Sequence, residues 1–261
     1  MCVNKYPIMR VLISGCSFTH WPEHPGSPKN VCWPTPLQKL RPEFWITNLA
    51  EPGAGNLYIA NSVVRHVLEK PGRPHHVLIM WSGVSRIDFL TDITDPSWHA
   101  LFDRYGFYRR IDSCPNTMGY IFSGGYYGPW MENHDMTALF RPMYKISSNL
   151  SLAHNNLIEI VKTQNFLKAQ NIPYHFMSYV NYWHDQDHCS PNGDFGVLKY
   201  PELQPLIREI DWSRWIFSDA ERNGIYEMAK SANDYNGDRF HPGAATNQAW
   251  AEIVNQAMER S

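Results

Sequence analysis

Two short stretches at opposite ends of the 261-residue chain carry residue types suited to acyl chemistry. One is Val11-Leu-Ile-Ser-Gly-Cys-Ser-Phe-Thr19, an apolar run closing on small residues, and the other is Asp238-Arg-Phe-His-Pro242. An apolar run ending in a tight turn is how an α/β protein presents a hydroxyl at the carboxyl edge of its sheet, which makes Ser17 the candidate nucleophile. A serine is a poor nucleophile until a base takes its proton. Asp238 and His241 stand three residues apart, close enough for the carboxylate to orient the imidazole. Ser17, His241 and Asp238 are therefore expected to act together in acyl transfer.

Positioning these groups requires a scaffold, and its elements are readable. Val11–Ser14 predicts a buried first strand, and Trp21–Pro36 a Pro-rich loop. Phe44–Ala50 predicts a second strand, stopped by Pro52 and Gly53; Asn56 is placed to cap a helix running to about Glu69. His76–Trp81 is a strongly apolar strand, followed by the strand-to-loop edge Ser82–Asp88. Helical spacing of Leu150, Ala153, Leu157, Ile160, Val161 and Leu167 predicts a long helix over Ser148–Gln170, and Tyr174–Val180 reads as a further strand. A last helix begins near Pro242 and buries Trp250, Ile253, Val254 and Ala257. Alternating strands and helices predict a single α/β domain over residues 1–261, a parallel sheet with helices on both faces. Two stretches, about 89–147 and 181–236, fall outside the pattern and read as inserted excursions.

Composition narrows the function. With 23 basic and 25 acidic residues the net charge is −2, so no global field draws in nucleic acid or anionic lipid. No apolar run approaches the roughly 20 residues of a membrane span, and no export signal is recognisable, so a cytoplasmic protein is expected. Five cysteines without CxxC spacing fit free thiols in reducing conditions. Cys16 is expected to be a packed residue rather than a nucleophile, because neighbours on an extended chain point to opposite sides. Ten tryptophans and fourteen tyrosines exceed what an ordinary core needs; Trp183, Trp212 and Trp215 fit loop packing, with a sugar-binding platform as the competing reading. His184, Asp185, Asp187, His188 and Cys189 include metal-capable groups, but Asn181, Pro191 and Gly193 predict a loop there and no metal site is assigned. No residue pattern specifies an oligomeric state.

The motif set resembles the SGNH, or GDSL, hydrolases, whose fold is a flavodoxin-like three-layer α/β/α sandwich with a central parallel sheet. Gly15-Cys-Ser-Phe-Thr19 matches that family's first motif with Cys16 in place of aspartate, and Asp238-Arg-Phe-His241 matches its last in full. The resemblance implies Ser17 as nucleophile, His241 as general base and then acid, and Asp238 as the group fixing its tautomer. Asn48-Leu-Ala-Glu-Pro-Gly53 has the spacing of the second motif, which implies Gly53, with Gly55 as competitor, as an oxyanion donor beside the Ser17 N–H. The third motif, Gly-x-Asn-Asp, is altered to Trp81-Ser-Gly-Val-Ser-Arg-Ile-Asp88. Val84 replaces its asparagine without gaps, and Ser85 or Ser82 does so with a shift of one or two residues. Arg86 could compensate, as could Asn56 or Asn61.

These readings converge on a serine esterase that cleaves short, acetyl-like acyl esters, with a small molecule or carbohydrate as substrate and no cofactor. The oxyanion hole is assigned to Ser17, Gly53, Ser82 and Ser85, and substrate contacts to Arg86 and Asn56. Acyl transfer to a sugar hydroxyl is the alternative within the same chemistry. A non-catalytic binding or structural protein on a degenerate hydrolase scaffold is the alternative outside it.

Overall fold

The computed structural model describes residues 7–20, 32–94, 108–115, 117–123, 135–184 and 196–260. Four parallel strands form its central sheet: β1 (Met9–Ser14), β2 (Phe44–Asn48), β3 (His76–Trp81) and β7 (Tyr174–Ser178), in the order β2-β1-β3-β7. β1 sits between β2 and β3, with Ile13 beside Asn48 and Leu78. Every residue of β3 and β7 is buried, the pattern of strands covered on both faces. A fifth position is vestigial: Trp215 bridges Phe176, and Ile216 N–H donates to the Phe176 carbonyl at 2.8 Å.

Helices supply the outer layers. α1 (Pro34–Leu40) packs against the last helix, α7 (Ala244–Glu259), while α2 (Asn56–Glu69) packs against α4 (Asn149–Ala169). Right-handed crossovers place these two pairs on opposite faces of a sheet with this strand order. α4 opens with a capping box in which Ser148 and Ser151 each accept the other's backbone N–H at 3.0 Å. α1 corrects the reading of Trp21–Pro36 as loop throughout, since Pro34 and Pro36 occupy a first turn that tolerates proline. α7 starts two residues after Pro242, with Gly243 as its N-cap.

The excursions carry structure of their own. In the first, β4 (Asp88–Asp92), β5 (Tyr108–Arg110) and β6 (Met118–Phe122) form an antiparallel sheet ordered β4-β6-β5, followed by α3 (Asp135–Ile146). The second holds α5 (Gln204–Arg208), α6 (Ile225–Ala232) and short 3₁₀ turns. Trp183, Trp212 and Trp215 lie within 6 Å of one another, and Trp183 and Trp215 are buried in the main core. Packing, rather than an open platform, accounts for both. Residues 185–189 of the metal-capable stretch lie outside the described residues. No helix among the described residues is long and apolar enough to cross a membrane.

α2 has no capping side chain of its own, because its N-cap is Gly55. Asp88, from the start of β4, replaces it: Oδ2 accepts the Tyr58 N–H at 2.7 Å, and a Cβ on Gly55 would collide with Oδ1. Asn56, expected to cap this helix, is instead its first residue. Burial pushes the Asp88 carboxyl from 3.8 up to about 7, despite the opposing pull of the Tyr58 N–H and Arg86. Between those values the folded chain holds a proton that the unfolded chain has released, so stability falls as pH rises from about 4 to 7. Asp88→Asn keeps a capping oxygen and removes the titration. Urea midpoints taken across that range should slope downward for the wild type relative to Asp88→Asn; parallel profiles would reject this assignment.

Candidate active site

The loops that follow β1, β2 and β3 meet at the carboxyl edge of the sheet, where open α/β folds place their sites. After β1 the chain turns at once, with Thr19 and His20 N–H both donating to the Cys16 carbonyl at 2.9 and 3.0 Å. Gly15 is required there, since a Cβ would lie 2.5 Å from Thr19 Oγ1 and 3.1 Å from the Met80 carbonyl oxygen. Asn48 secures the turn from β2 by donating from Nδ2 to the Thr19 carbonyl at 2.8 Å. Cys16 is fully buried, while Ser17 is partly exposed.

His241 Nε2 stands 2.8 Å from Ser17 Oγ, and His241 Nδ1 stands 2.5 Å from Asp238 Oδ2. The other carboxylate oxygen of Asp238 accepts the backbone N–H groups of Phe240 and His241, both at 2.9 Å. Burial pushes the Asp238 carboxyl up, but these N–H donors and the imidazole outweigh it and hold the group below the usual carboxylate range. Asp238 is thus ionised wherever the imidazole needs a counter-charge. The ring of His241 packs against Phe18 and Phe240, with centroids 4.9 and 5.3 Å away.

The turn bearing His241 is tightly determined. Asn236 N–H donates to the His241 carbonyl at 2.8 Å, Arg239 N–H donates to the Asn236 carbonyl at 2.9 Å, and Arg239 takes a left-handed φ of 58°. A non-glycine residue held there stores strain that surrounding contacts must offset. Asp234 provides those contacts: its carbonyl accepts Gly243 N–H at 2.8 Å and its Oδ2 accepts Thr246 N–H at 2.6 Å, capping α7. Sequence reasoning missed Asp234 and Asp88, because each caps a helix from outside the local capping pattern.

In the loop after β2, Gly53 is buried with φ 79°, a left-handed value that favours glycine. Among the described residues the N–H groups of Ser17 and Gly53 have no acceptor. Gly55, the competing donor, is the helix N-cap pressed against Asp88.

The altered third motif is knitted to this glycine loop. Asn56 accepts the Ser82 N–H at 2.7 Å and donates from Nδ2 to the Ser82 carbonyl at 3.1 Å and to Asn156 Oδ1 at 2.5 Å. Its amide is fully engaged and buried, which corrects the expectation that Asn56 touches substrate. Asn61 is turned to the Tyr120 hydroxyl. Arg86 donates from Nη1 to the Ala54 carbonyl at 3.1 Å and lies over the Tyr179 ring, so it braces the Gly53–Gly55 segment. It also lines a 370 Å³ cavity with Ile87, Asp88, Met143, Leu152 and Asn155. Ser82 and Ser85 are buried with hydroxyls that meet no hydrogen-bond partner among the described residues, and Val84 is also buried.

No family model matches the sequence, and no curated protein does. Solved structures do match. The esterase EstA of Pseudoalteromonas sp., in a form inhibited by monoethylphosphonate, aligns over 96% of this chain and 97% of its own at 9% identity and a TM-score of 0.51. A lipolytic G-D-S-L family protein of Veillonella parvula aligns over 97% and 100% at 11% identity and a TM-score of 0.48. The acetylxylan esterase Axe2 of Geobacillus stearothermophilus aligns over 97% and 96% at 13% identity and a TM-score of 0.47. Helices flanking a central parallel sheet are the fold this chain has in common with the Pseudoalteromonas esterase.

Proposed function

We propose that the protein is a serine esterase that hydrolyses short, acetyl-like acyl esters, with a sugar hydroxyl as the alcohol. The continuous relay from Ser17 Oγ through His241 to Asp238, at 2.8 and 2.5 Å, carries this reading. His241 Nε2 takes the Ser17 proton as Oγ attacks the acyl carbon, and Asp238 stabilises the imidazolium that forms. The tetrahedral oxygen gathers negative charge beside the N–H groups of Ser17 and Gly53. Collapse expels the alcohol, which carries away the proton held by His241. Water then enters by the same route, releasing the acid and restoring the serine. Every proton moves between groups of this chain, the substrate and water, so the cycle uses no cofactor.

Ser82 and Ser85 supply the best candidates for a third oxyanion donor, since both hydroxyls are buried without a partner among the described residues. A missing donor typically costs on the order of 100-fold or more in turnover, so moderate rates are expected if neither serves. The same alteration is what favours the degenerate-scaffold alternative. p-Nitrophenyl acetate separates the two: the wild type should release p-nitrophenol with saturation kinetics, and Ser17→Ala should lose the activity entirely. Absence of turnover by the wild type, or retained turnover in Ser17→Ala, would sink the esterase reading. A peracetylated monosaccharide should be a better substrate than a long-chain ester of the same concentration; the reverse ranking would reject the proposed alcohol and acyl class.

Asp238→Asn preserves the shape of the site and removes the negative charge. Turnover should fall by about 10³- to 10⁴-fold with KM little changed, because tautomer and imidazolium stabilisation are needed after substrate has bound. A loss below tenfold in steady-state kinetics would show that Asp238 does not serve His241.

A further inference from the structure

The end of the molecule opposite the triad holds a second cluster of polar chemistry. A cleft of 340 Å³ lies where β7 begins and α7 ends, lined by His175, Ser213, Arg214, Trp215, Ala257 and Arg260. Neither arginine of the cleft has a close ion-pair or hydrogen-bond partner for its guanidinium among the described residues, although Asp211 attracts Arg214 from beyond contact distance. The nearby acids make their close contacts with other groups. Asp211 accepts Lys168 Nζ at 2.9 Å and the Ser213 hydroxyl at 2.5 Å, and Glu259 reaches Arg41 at 3.5 Å. Two like charges facing one cleft repel each other, and the repulsion is relieved when an anion sits between them.

His175 adds a directed group. It is 4% exposed and stacks on His76 with ring centroids 5.1 Å apart, and its Nδ1 lies 3.0 Å from His76 Nε2. That contact leaves His175 Nε2 as the ring nitrogen with no hydrogen-bond partner among the described residues. Burial, then the neighbouring His175 and Arg214, push His76 down to about 3; burial and Arg214 push His175 down to about 4. The pair is therefore neutral at pH 7 and shares a single hydrogen between its facing nitrogens. When His76 donates that hydrogen, His175 presents an N–H at Nε2 and becomes a donor for an anion in the cleft.

We propose that this cleft binds a phosphate-class oxyanion, free or as the headgroup of a small metabolite. Donors arrive from three separate elements, β7, the 3₁₀ turn Trp212–Arg214 and the end of α7. Convergence from three directions suits a tetrahedral group with several charged oxygens better than a planar carboxylate with two, and arginine forks bind such oxygens bidentately. The site stands apart from Ser17 and does not depend on the esterase reading.

Calorimetric titration of the full chain with inorganic phosphate, at constant ionic strength in chloride buffer, tests it. One-site binding is expected, accompanied by a rise in melting temperature. Arg214→Gln and Arg260→Gln should each weaken binding at least tenfold while leaving p-nitrophenyl acetate turnover unchanged. His175→Gln, which keeps a buried donor, should weaken it less. No heat beyond the chloride control, or wild-type affinity in both arginine variants, would overturn the site as a pair of merely solvated cations. Tighter binding of acetate than of phosphate would overturn its tetrahedral selectivity.

Discussion

The hydrogen bond between His241 Nε2 and Ser17 Oγ joins groups 224 residues apart, and the rest of the molecule can be understood as the means of holding that one contact. Ser17 is placed by the end of β1 at the centre of the sheet, and His241 by the turn that opens α7. In the mechanism proposed, an error of an ångström at either end breaks the proton path, so both ends must be rigid. The chain meets this need differently on each side. The serine turn is fixed by close backbone approach at Gly15 and by the amide of Asn48. The histidine turn is fixed by side chains: Asp238 closes it from within, and Asp234 ties it to the first turn of α7.

Glycine N-caps recur on the helices around the site, with a carboxylate supplied by another segment at two of them and by the helix's own first turn at the third. Gly55 opens α2 against Asp88, and Gly243 opens α7 against Asp234. Gly224 opens α6, where a Cβ would strike the carbonyls of Ser178 and Tyr179, and Glu227 closes that end by accepting the Gly224 and Asn181 N–H groups. A glycine permits close approach of a neighbouring segment, and the acid supplies the negative charge that a helix N-terminus favours. Loop and helix are thereby locked to each other, which a local serine or threonine cap cannot do. Around the third motif, the pairing of Asn56 with Ser82 and of Arg86 with Ala54 binds the glycine loop to its neighbour.

The sheet and the relay were the legible parts of the sequence. Val11–Ser14 and His76–Trp81 stand out as apolar runs, and the long face of α4 shows because its period repeats over five turns. The grouping of Ser17, His241 and Asp238 was legible because these residue types are rare in such a combination and two of them are three residues apart. Other features depend on contacts that no local pattern encodes. α1 was hidden by Pro34 and Pro36, which punctuate a loop as readily as they begin a helix. The antiparallel sheet of the first excursion consists of strands of three to five residues, too short for alternation to show. Asp88 caps a helix whose first turn lies 30 residues earlier, and Asn56 was misread because a polar residue at a helix start looks like a cap even when a buried partner claims its amide.

The central claim is that His241 makes the Ser17 oxygen reactive. Intact-protein mass spectrometry after exposure to a fluorophosphonate measures this directly, because the reagent bonds only to an activated hydroxyl. One phosphonyl group located on Ser17, formed rapidly in the wild type and lost in His241→Ala, is the result the account predicts. An unlabelled wild type, or labelling at the same rate without the imidazole, would contradict it.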